Sequence, residues 1–164
     1  ALKIWNQIEK DDECEDWILR IVGHGDRDET IYRKYVKDNR LKRVVFEGAR
    51  KPLSYYQDAK LFMLTSLFEG WGLTLTEAQQ NACVPIAFNT YASLTDIITD
   101  GYNGFVIDEG NITDYVSKLK LLMKDSEKRR EMAENAVVSS HRFEKGIIVS
   151  QWNQLLKETI WNTK

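Results

Sequence analysis

The stretch Lys60-Leu61-Phe62-Met63-Leu64-Thr65-Ser66-Leu67-Phe68-Glu69-Gly70-Trp71-Gly72-Leu73-Thr74-Leu75-Thr76-Glu77-Ala78 decides the fold. Its opening residues, 61–65, form a short apolar run of the kind that makes a buried parallel strand. The residues after Gly72 begin a helix, expected over 74–82, and Gly70-Trp71-Gly72 is the turn between. A strand, a glycine turn and a helix N-terminus together make an anion site, because the free backbone N–H groups and the helix dipole both favour a phosphate. Glu69 and Glu77, eight residues apart, place a carboxylate on each side of that turn. Two carboxylates beside a phosphate site suit a hydroxyl-rich ligand attached to that phosphate, and a sugar nucleotide answers the description.

Outward from this stretch, short apolar runs alternate with amphipathic ones, the pattern of a doubly wound α/β sheet. Strands are expected at residues 17–22, 43–46, 61–65, 84–88 and 104–107. Helices are expected at 28–38, 54–58, 74–82, 93–100, 113–124, 127–139 and from about 146 to 161. The strands at 61–65 and 84–88 should be parallel neighbours, with the helix at 74–82 crossing over between them. Val116, Leu119, Leu122 and Met123 recur at helical spacing and should face the sheet. Pro52 and Pro85, the two prolines, both stand at junctions where a helix could not continue. No repeat, linker or low-complexity stretch divides the chain, so residues 1–164 read as one domain.

Composition agrees with a globular domain. The 164 residues suffice for one core, and the apolar fraction of 43% and charged fraction of 29% are ordinary. A formal net charge of −2 gives no reason to expect nucleic acid or an acidic membrane as partner. No apolar run approaches the roughly 20 residues that span a bilayer. Cys14 and Cys83 have no partner motif and read as reduced thiols of a cytosolic protein. His24, in Gly23-His24-Gly25, reads as part of a strand-to-helix turn with no second histidine close in sequence, and no metal site is expected.

Taken in order, several pieces resemble the C-terminal, donor-binding half of a family-4 retaining glycosyltransferase of the GT-B type. They are Ile21-Val22-Gly23-His24-Gly25, Val45-Phe46-Glu47-Gly48, Ser54-Tyr55-Tyr56 leading to Ala59, Glu69 with Glu77-Ala78, Val84-Pro85-Ile86-Ala87, and Asp100-Gly101-Tyr102-Asn103-Gly104-Phe105. The resemblance implies a three-layer, doubly wound, mostly parallel sheet, the Rossmann-like half of a GT-B fold. It implies a nucleotide diphosphate sugar as donor substrate, no cofactor, no metal, and transfer to a hydroxyl acceptor with retained configuration. Glu69 would hold sugar hydroxyls and serve as the catalytic residue. Gly70, Trp71, Gly72, Leu73 and Thr74 would line the donor site. Glu77 would bond the ribose hydroxyls, and Arg50, in the loop after Gly48, would lie by the nucleotide base. The setting would be cytoplasmic synthesis of polysaccharide or lipopolysaccharide. The acceptor would bind an N-terminal domain absent from this chain, and through that domain the protein could associate peripherally with the inner face of a membrane.

The chain also departs from the family pattern. The family's domain opens with a strand and a turn bearing an Arg, with a Lys at the following helix; here Ala1-Leu2-Lys3-Ile4-Trp5 reads as the middle or end of that helix. In a sheet of order 3-2-1-4-5-6 the absent strand is central, and its loss leaves unpaired edges inside the sheet. These residues therefore read as a fragment whose isolated activity should be weak or nil. After residues 84–88 the family's Gly-Gly-x-Pro-Glu run is replaced by Tyr91-Ala92-Ser93-Leu94-Thr95-Asp96, with Asp96 at the place of the Glu. Without those glycines no close donor contact by this loop is expected. Ala82 stands where a helix-stopping glycine is usual, at a cost of about 1 kcal/mol if it is left-handed.

Simpler readings stand beside these. Thr74-Leu75-Thr76-Glu77 has the spacing of a capping box, in which Glu77 would serve only its own helix. Glu69 could be a solvated loop carboxylate, Gly70 and Gly72 could merely permit positive φ, and Trp71 could be either a sugar platform or a lid over the helix. His141, Arg142 and the run Asp11-Asp12-Glu13 read as surface residues. A non-catalytic nucleotide- or partner-binding module is the alternative to an enzyme domain. A sugar-nucleotide epimerase or a phosphorylase is disfavoured for want of further acid–base groups or a cofactor-binding lysine.

Overall fold

A computed structural model describes residues 1–23 and 28–161. His24 and Gly25 of the glycine turn lie outside the described residues. Helix α1 (Leu2–Ile8) leads through a 3₁₀ turn (Asp12–Cys14) into β1 (Leu19–Val22), α2 (Asp28–Asp38) and β2 (Val44–Gly48). There follow α3 (Leu53–Asp58), β3 (Leu61–Leu64), α4 (Leu73–Gln80), β4 (Val84–Asn89), the short α5 (Leu94–Ile97) and β5 (Phe105–Asp108). Helices α6 (Ile112–Lys124), α7 (Ser126–Ser140) and α8 (Lys145–Trp161) come last among the described residues.

All strand pairs are parallel, as the apolar runs predict. β3 pairs with β4 from Leu61↔Val84 to Leu64↔Ala87, and β4 pairs with β5 from Ile86↔Phe105 to Asn89↔Asp108. The two-residue period of the strands sorts their side chains into opposite faces. Val84, Ile86, Phe88, Phe105 and Ile107 pack with Ile4, Trp5 and Ile8 of α1 and with Tyr115, Leu119 and Leu122 of α6. Leu64 and Ala87 face the other way, onto Leu75 of α4 and Leu94 and Ile97 of α5. The result is the expected helix–sheet–helix layering. Val116, Leu119, Leu122 and Met123 are all buried in the α1/α6 layer, and Tyr115, not singled out in the sequence, joins them.

The ladder does not run unbroken across the sheet. Strands β1 and β2 form one parallel pair, and β3, β4 and β5 form a separate sheet. β4 is buried from Val84 to Phe88, whereas Leu61, Phe62 and Met63 of β3 are only half-buried. The strands therefore do not join into one ladder; edges of β1 and β3 stay without a ladder partner among the described residues.

The largest departure from the expected helix bounds is at the end of α5. The helix expected at 93–100 stops at Ile97. Gln79 Nε2 and Asn103 Nδ2 both donate to the Ile97 carbonyl, at 3.3 and 3.1 Å, while Asn103 Oδ1 accepts from Thr99 N at 2.7 Å. The buried Asn103 thus does for the backbone what another helical turn would have done. Its neighbour Gly104 sits so close to β4 that a Cβ there would lie 2.6 Å from the Pro85 carbonyl oxygen. The Asp-Gly-x-Asn-Gly piece of the sequence is accounted for by this packing alone. The acidic run is also more than a surface feature. Asp11 accepts from Lys120 at 2.8 Å and Lys124 at 3.0 Å, which holds its carboxyl down at about 2 and ties the 3₁₀ turn to α6.

Helix α4 ends in a Schellman motif: Cys83 N bonds Ala78 O at 3.0 Å, and Ala82 N bonds Gln79 O at 3.1 Å. Ala82 takes the left-handed conformation this requires, at φ 58°. A glycine there relieves the Cβ strain but frees the unfolded chain, so Ala82→Gly should gain about 0.5–1 kcal/mol. The expected observation is a higher denaturation midpoint with an unchanged slope.

Candidate donor site at the N-terminus of α4

β3 ends at Leu64, and the chain turns through Ser66–Gly72 at the C-terminal edge of the sheet before α4 begins. Gly72 is the N-cap, at φ 84° and ψ 50°, with no side-chain cap. The helix therefore starts at Leu73, one residue earlier than the sequence reading. Thr74 lies inside the first turn, and Glu77 is five residues past the cap rather than three. The capping box consequently does not form. Thr76, the other candidate hydroxyl, bonds back to Leu73 O at 2.9 Å. Leu75 N bonds Gly72 O at 2.9 Å, which leaves the N–H groups of Leu73 and Thr74 without an intrahelical acceptor. An open N-terminus of this kind, with the positive end of the helix dipole behind it, attracts an anion.

The two carboxylates have different surroundings. Glu77 is exposed on α4, and its carboxylate faces the Tyr56 hydroxyl of α3; burial first, and then this negative charge, raise the Tyr56 phenol above its ordinary range. Glu69 is half-buried in the turn, and its charge acts on Tyr91, just beyond β4. Arg50 is exposed between β2 and α3, where its charge acts on Tyr55. Tyr55 in turn donates to Glu47 at 3.1 Å, and Arg20 lies 3.5 Å from the same carboxylate. Among the described residues no group of three His, Cys, Asp or Glu side chains is placed to hold a metal ion.

The glycines split in role. Gly72 has positive φ and Gly70 does not. Trp71 meets Phe143 in a T-shaped ring contact, with centroids 5.4 Å apart, and stays 37% exposed. It is thus a partly exposed anchor of the turn, rather than a free platform. Leu67, Phe68 and Leu73 around it are strongly exposed.

Sequence reasoning missed the segment that braces this turn. Thr90 Oγ1 donates to Ser66 O at 2.8 Å, and Ser93 Oγ donates to Gly70 O at 3.0 Å. The Tyr91 ring runs beneath Gly72, where an added Cβ would lie 2.6 Å from the Tyr91 hydroxyl oxygen. The only sequence signal was a negative one, the loss of the family glycines after β4.

A model of the family described as glycosyl transferases group 1 matches residues 1–138. This chain belongs to that family. It is 31% identical over 162 residues to the poly(glycerol-phosphate) alpha-glucosyltransferase of Bacillus subtilis, covering 98% of this chain and 24% of that protein. Its fold matches a mutant of TarM from S. aureus, solved in complex with fondaparinux, alpha-GlcNAc-glycerol and UDP, at a TM-score of 0.84 and 27% identity, over 93% of this chain and 31% of that one. It also matches the C-terminal domain of the glycosyl transferase group 1 protein LpcC from Francisella tularensis, at a TM-score of 0.76 and 25% identity, over 87% of this chain and 77% of that one. The expected GT-B, Rossmann-like C-terminal half is thereby shown. The chain spans less than half the length of the curated relatives it matches. No helix among the described residues is long and apolar enough to cross a membrane.

The Gly72 geometry makes a specific demand. Gly72→Ala should cost about 1–2 kcal/mol from left-handed strain alone, and more from collision with the Tyr91 hydroxyl. Gly72→Ala made in a Tyr91→Phe background should cost visibly less, because the ring without its hydroxyl leaves room for the methyl group. Equal losses in both backgrounds, measured by chemical denaturation, would contradict the packing described here.

Proposed function

We propose that this chain is the donor-binding domain of a glycosyltransferase that uses a nucleotide diphosphate sugar and transfers the sugar to a hydroxyl acceptor with retained configuration. The observation that carries the reading is the uncapped N-terminus of α4, opened by a left-handed Gly72 and flanked by Glu69 and Glu77. In such a transfer the bond between the anomeric carbon and the diphosphate oxygen breaks, a bond to the acceptor oxygen forms, and the acceptor's proton leaves with the diphosphate or to solvent. The main demand is to stabilise the negative charge gathering on the leaving diphosphate. The Leu73 and Thr74 N–H groups and the helix dipole supply donors for that charge without a metal, and the Thr74 hydroxyl is beside them. Gly70 and Gly72 keep side chains out of the approach, and Trp71 offers its exposed part to the donor. Glu77 holds the ribose hydroxyls and Arg50 lies toward the base. Glu69 orients the sugar over the diphosphate. The UDP in the TarM complex supports a nucleotide of this type.

The acceptor site belongs to a segment outside these residues. The short coverage of the relatives supports this, and so does the division of the sheet. A parallel strand entering between β1 and β3 would satisfy both edges and would end beside Thr65, where α1 begins with Ala1 N 3.3 Å from Thr65 Oγ1. The protein works in the cytoplasm, and the N-terminal domain carries any peripheral contact with a membrane. On this reading residues 1–164 alone transfer no sugar.

Two experiments test the proposal. In the full-length protein, Glu77→Ala should weaken donor binding by roughly 10- to 100-fold with turnover nearly kept, since ribose contacts are equal in ground and transition states. Glu69→Ala should lower turnover by about 100-fold with donor affinity nearly kept. Calorimetric donor titration and initial rates on both variants measure this, and two variants indistinguishable from wild type would leave only a binding module. Separately, residues 1–164 preceded by the native upstream strand should melt at a higher temperature than residues 1–164 alone. An unchanged melting temperature would count against strand insertion.

A further inference from the structure

Two buried side-chain polar atoms among the described residues lack a hydrogen-bond partner: Gln79 Oε1 and the Tyr91 hydroxyl. Gln79 keeps a bond from its amide nitrogen to Ile97 O at 3.3 Å. Tyr91 keeps none, although it is only 9% exposed. A phenylalanine would fill the same space without the desolvation penalty of an unsatisfied hydroxyl, so the hydroxyl calls for an explanation.

Its position supplies one. The oxygen lies directly under Gly72, 2.6 Å from where a Cβ would be, at the mouth of α4, whose N-terminus has no side-chain cap. The loop that carries it is fixed on either side, by Thr90 on Ser66 O and Ser93 on Gly70 O. The hydroxyl is therefore held against the turn. We propose that Tyr91 is a ligand-binding residue, whose hydroxyl donates a hydrogen bond to a phosphate oxygen of the nucleoside diphosphate at the N-terminus of α4.

This rests on the nucleotide-sugar reading above and adds a donor that the backbone N–H groups do not provide. It also reverses the expectation that the loop after β4, lacking the family glycines, makes no close donor contact: the loop reaches the site by a side chain instead. Burial, and then the Glu69 carboxylate, push the Tyr91 phenol up to about 12, so the proton stays in place near neutral pH and the group meets an anion as a donor. The Glu69 carboxylate acts on the phenol through its charge and accepts no hydrogen bond from it. An incoming phosphate brings two or more charged oxygens to the same donors.

Tyr91→Phe in the full-length protein tests the assignment. The nucleotide is whichever of UDP, ADP and GDP the wild type binds most tightly by calorimetry. The expected result is a ligand-free melting temperature equal to or above that of wild type, with roughly tenfold or greater loss of affinity for that nucleoside diphosphate. Tyr115→Phe is the control: the Tyr115 hydroxyl donates to the Ile86 carbonyl in the opposite layer, so this variant should lose stability and keep nucleotide affinity. Wild-type affinity in Tyr91→Phe overturns the role of Tyr91 while leaving the donor site intact. Failure of the wild type to bind any of the three nucleotides overturns the nucleotide-sugar reading, and this inference falls with it.

Discussion

Gly72 adopts a backbone conformation, φ 84° and ψ 50°, in which a Cβ would collide with the Tyr91 hydroxyl. Much of the site depends on that one residue. The left-handed turn ends the run out of β3 and starts α4 without a side-chain cap, so the helix presents bare N–H groups at the sheet edge. A serine or aspartate at an ordinary N-cap stabilises a helix by about 1 kcal/mol through its own oxygen, but at this position the left-handed backbone and the Tyr91 hydroxyl exclude a Cβ. The first N–H groups of α4 are therefore left without a side-chain acceptor.

The turn is held from outside. The β4–α5 loop bonds it through Thr90 and Ser93, and Trp71 makes a T-shaped contact with Phe143 of the segment between α7 and α8. These contacts bring together residues far apart in the chain, and they fix the backbone at the point where the candidate chemistry needs fixed dipoles. The other end of α4 is held as well, by the Schellman motif through Ala82 and by Gln79 on the Ile97 carbonyl. A helix of eight residues would be marginal by itself. Here its ends are set by neighbours, which keeps the N-terminus aligned with the sheet edge.

The divided sheet shows what the same physics costs elsewhere. Parallel strands are stable when both faces and both edges are covered. β4 meets that condition and is buried along most of its length, whereas β3 lacks a partner on one side among the described residues and remains half-open. The layers persist because α1 and α6 cover one face and α4 and α5 the other.

The sequence by itself determined the alternation of strands and helices, the parallel pairing of β3 with β4, and the α1/α6 layer through the helical spacing of Val116, Leu119, Leu122 and Met123. These follow from apolar periodicity, which is local and survives in any context that buries it. It also indicated a cost at Ala82 if the helix stop there were left-handed, and the structure has it so, at φ 58°. The turn between Glu69 and Glu77 was legible as a glycine-rich helix entry. Which residue capped it was not, since Thr74 and Gly72 are both acceptable by local preference. Tertiary packing settled it at Gly72, whose left-handed backbone lies against the Tyr91 hydroxyl. The early stop of α5 was likewise decided by Asn103, a buried amide whose partners are set by the fold. Tyr91 itself was invisible as a site residue: nothing in its neighbours says which way the ring points, and its lack of a hydrogen-bond partner exists only in three dimensions.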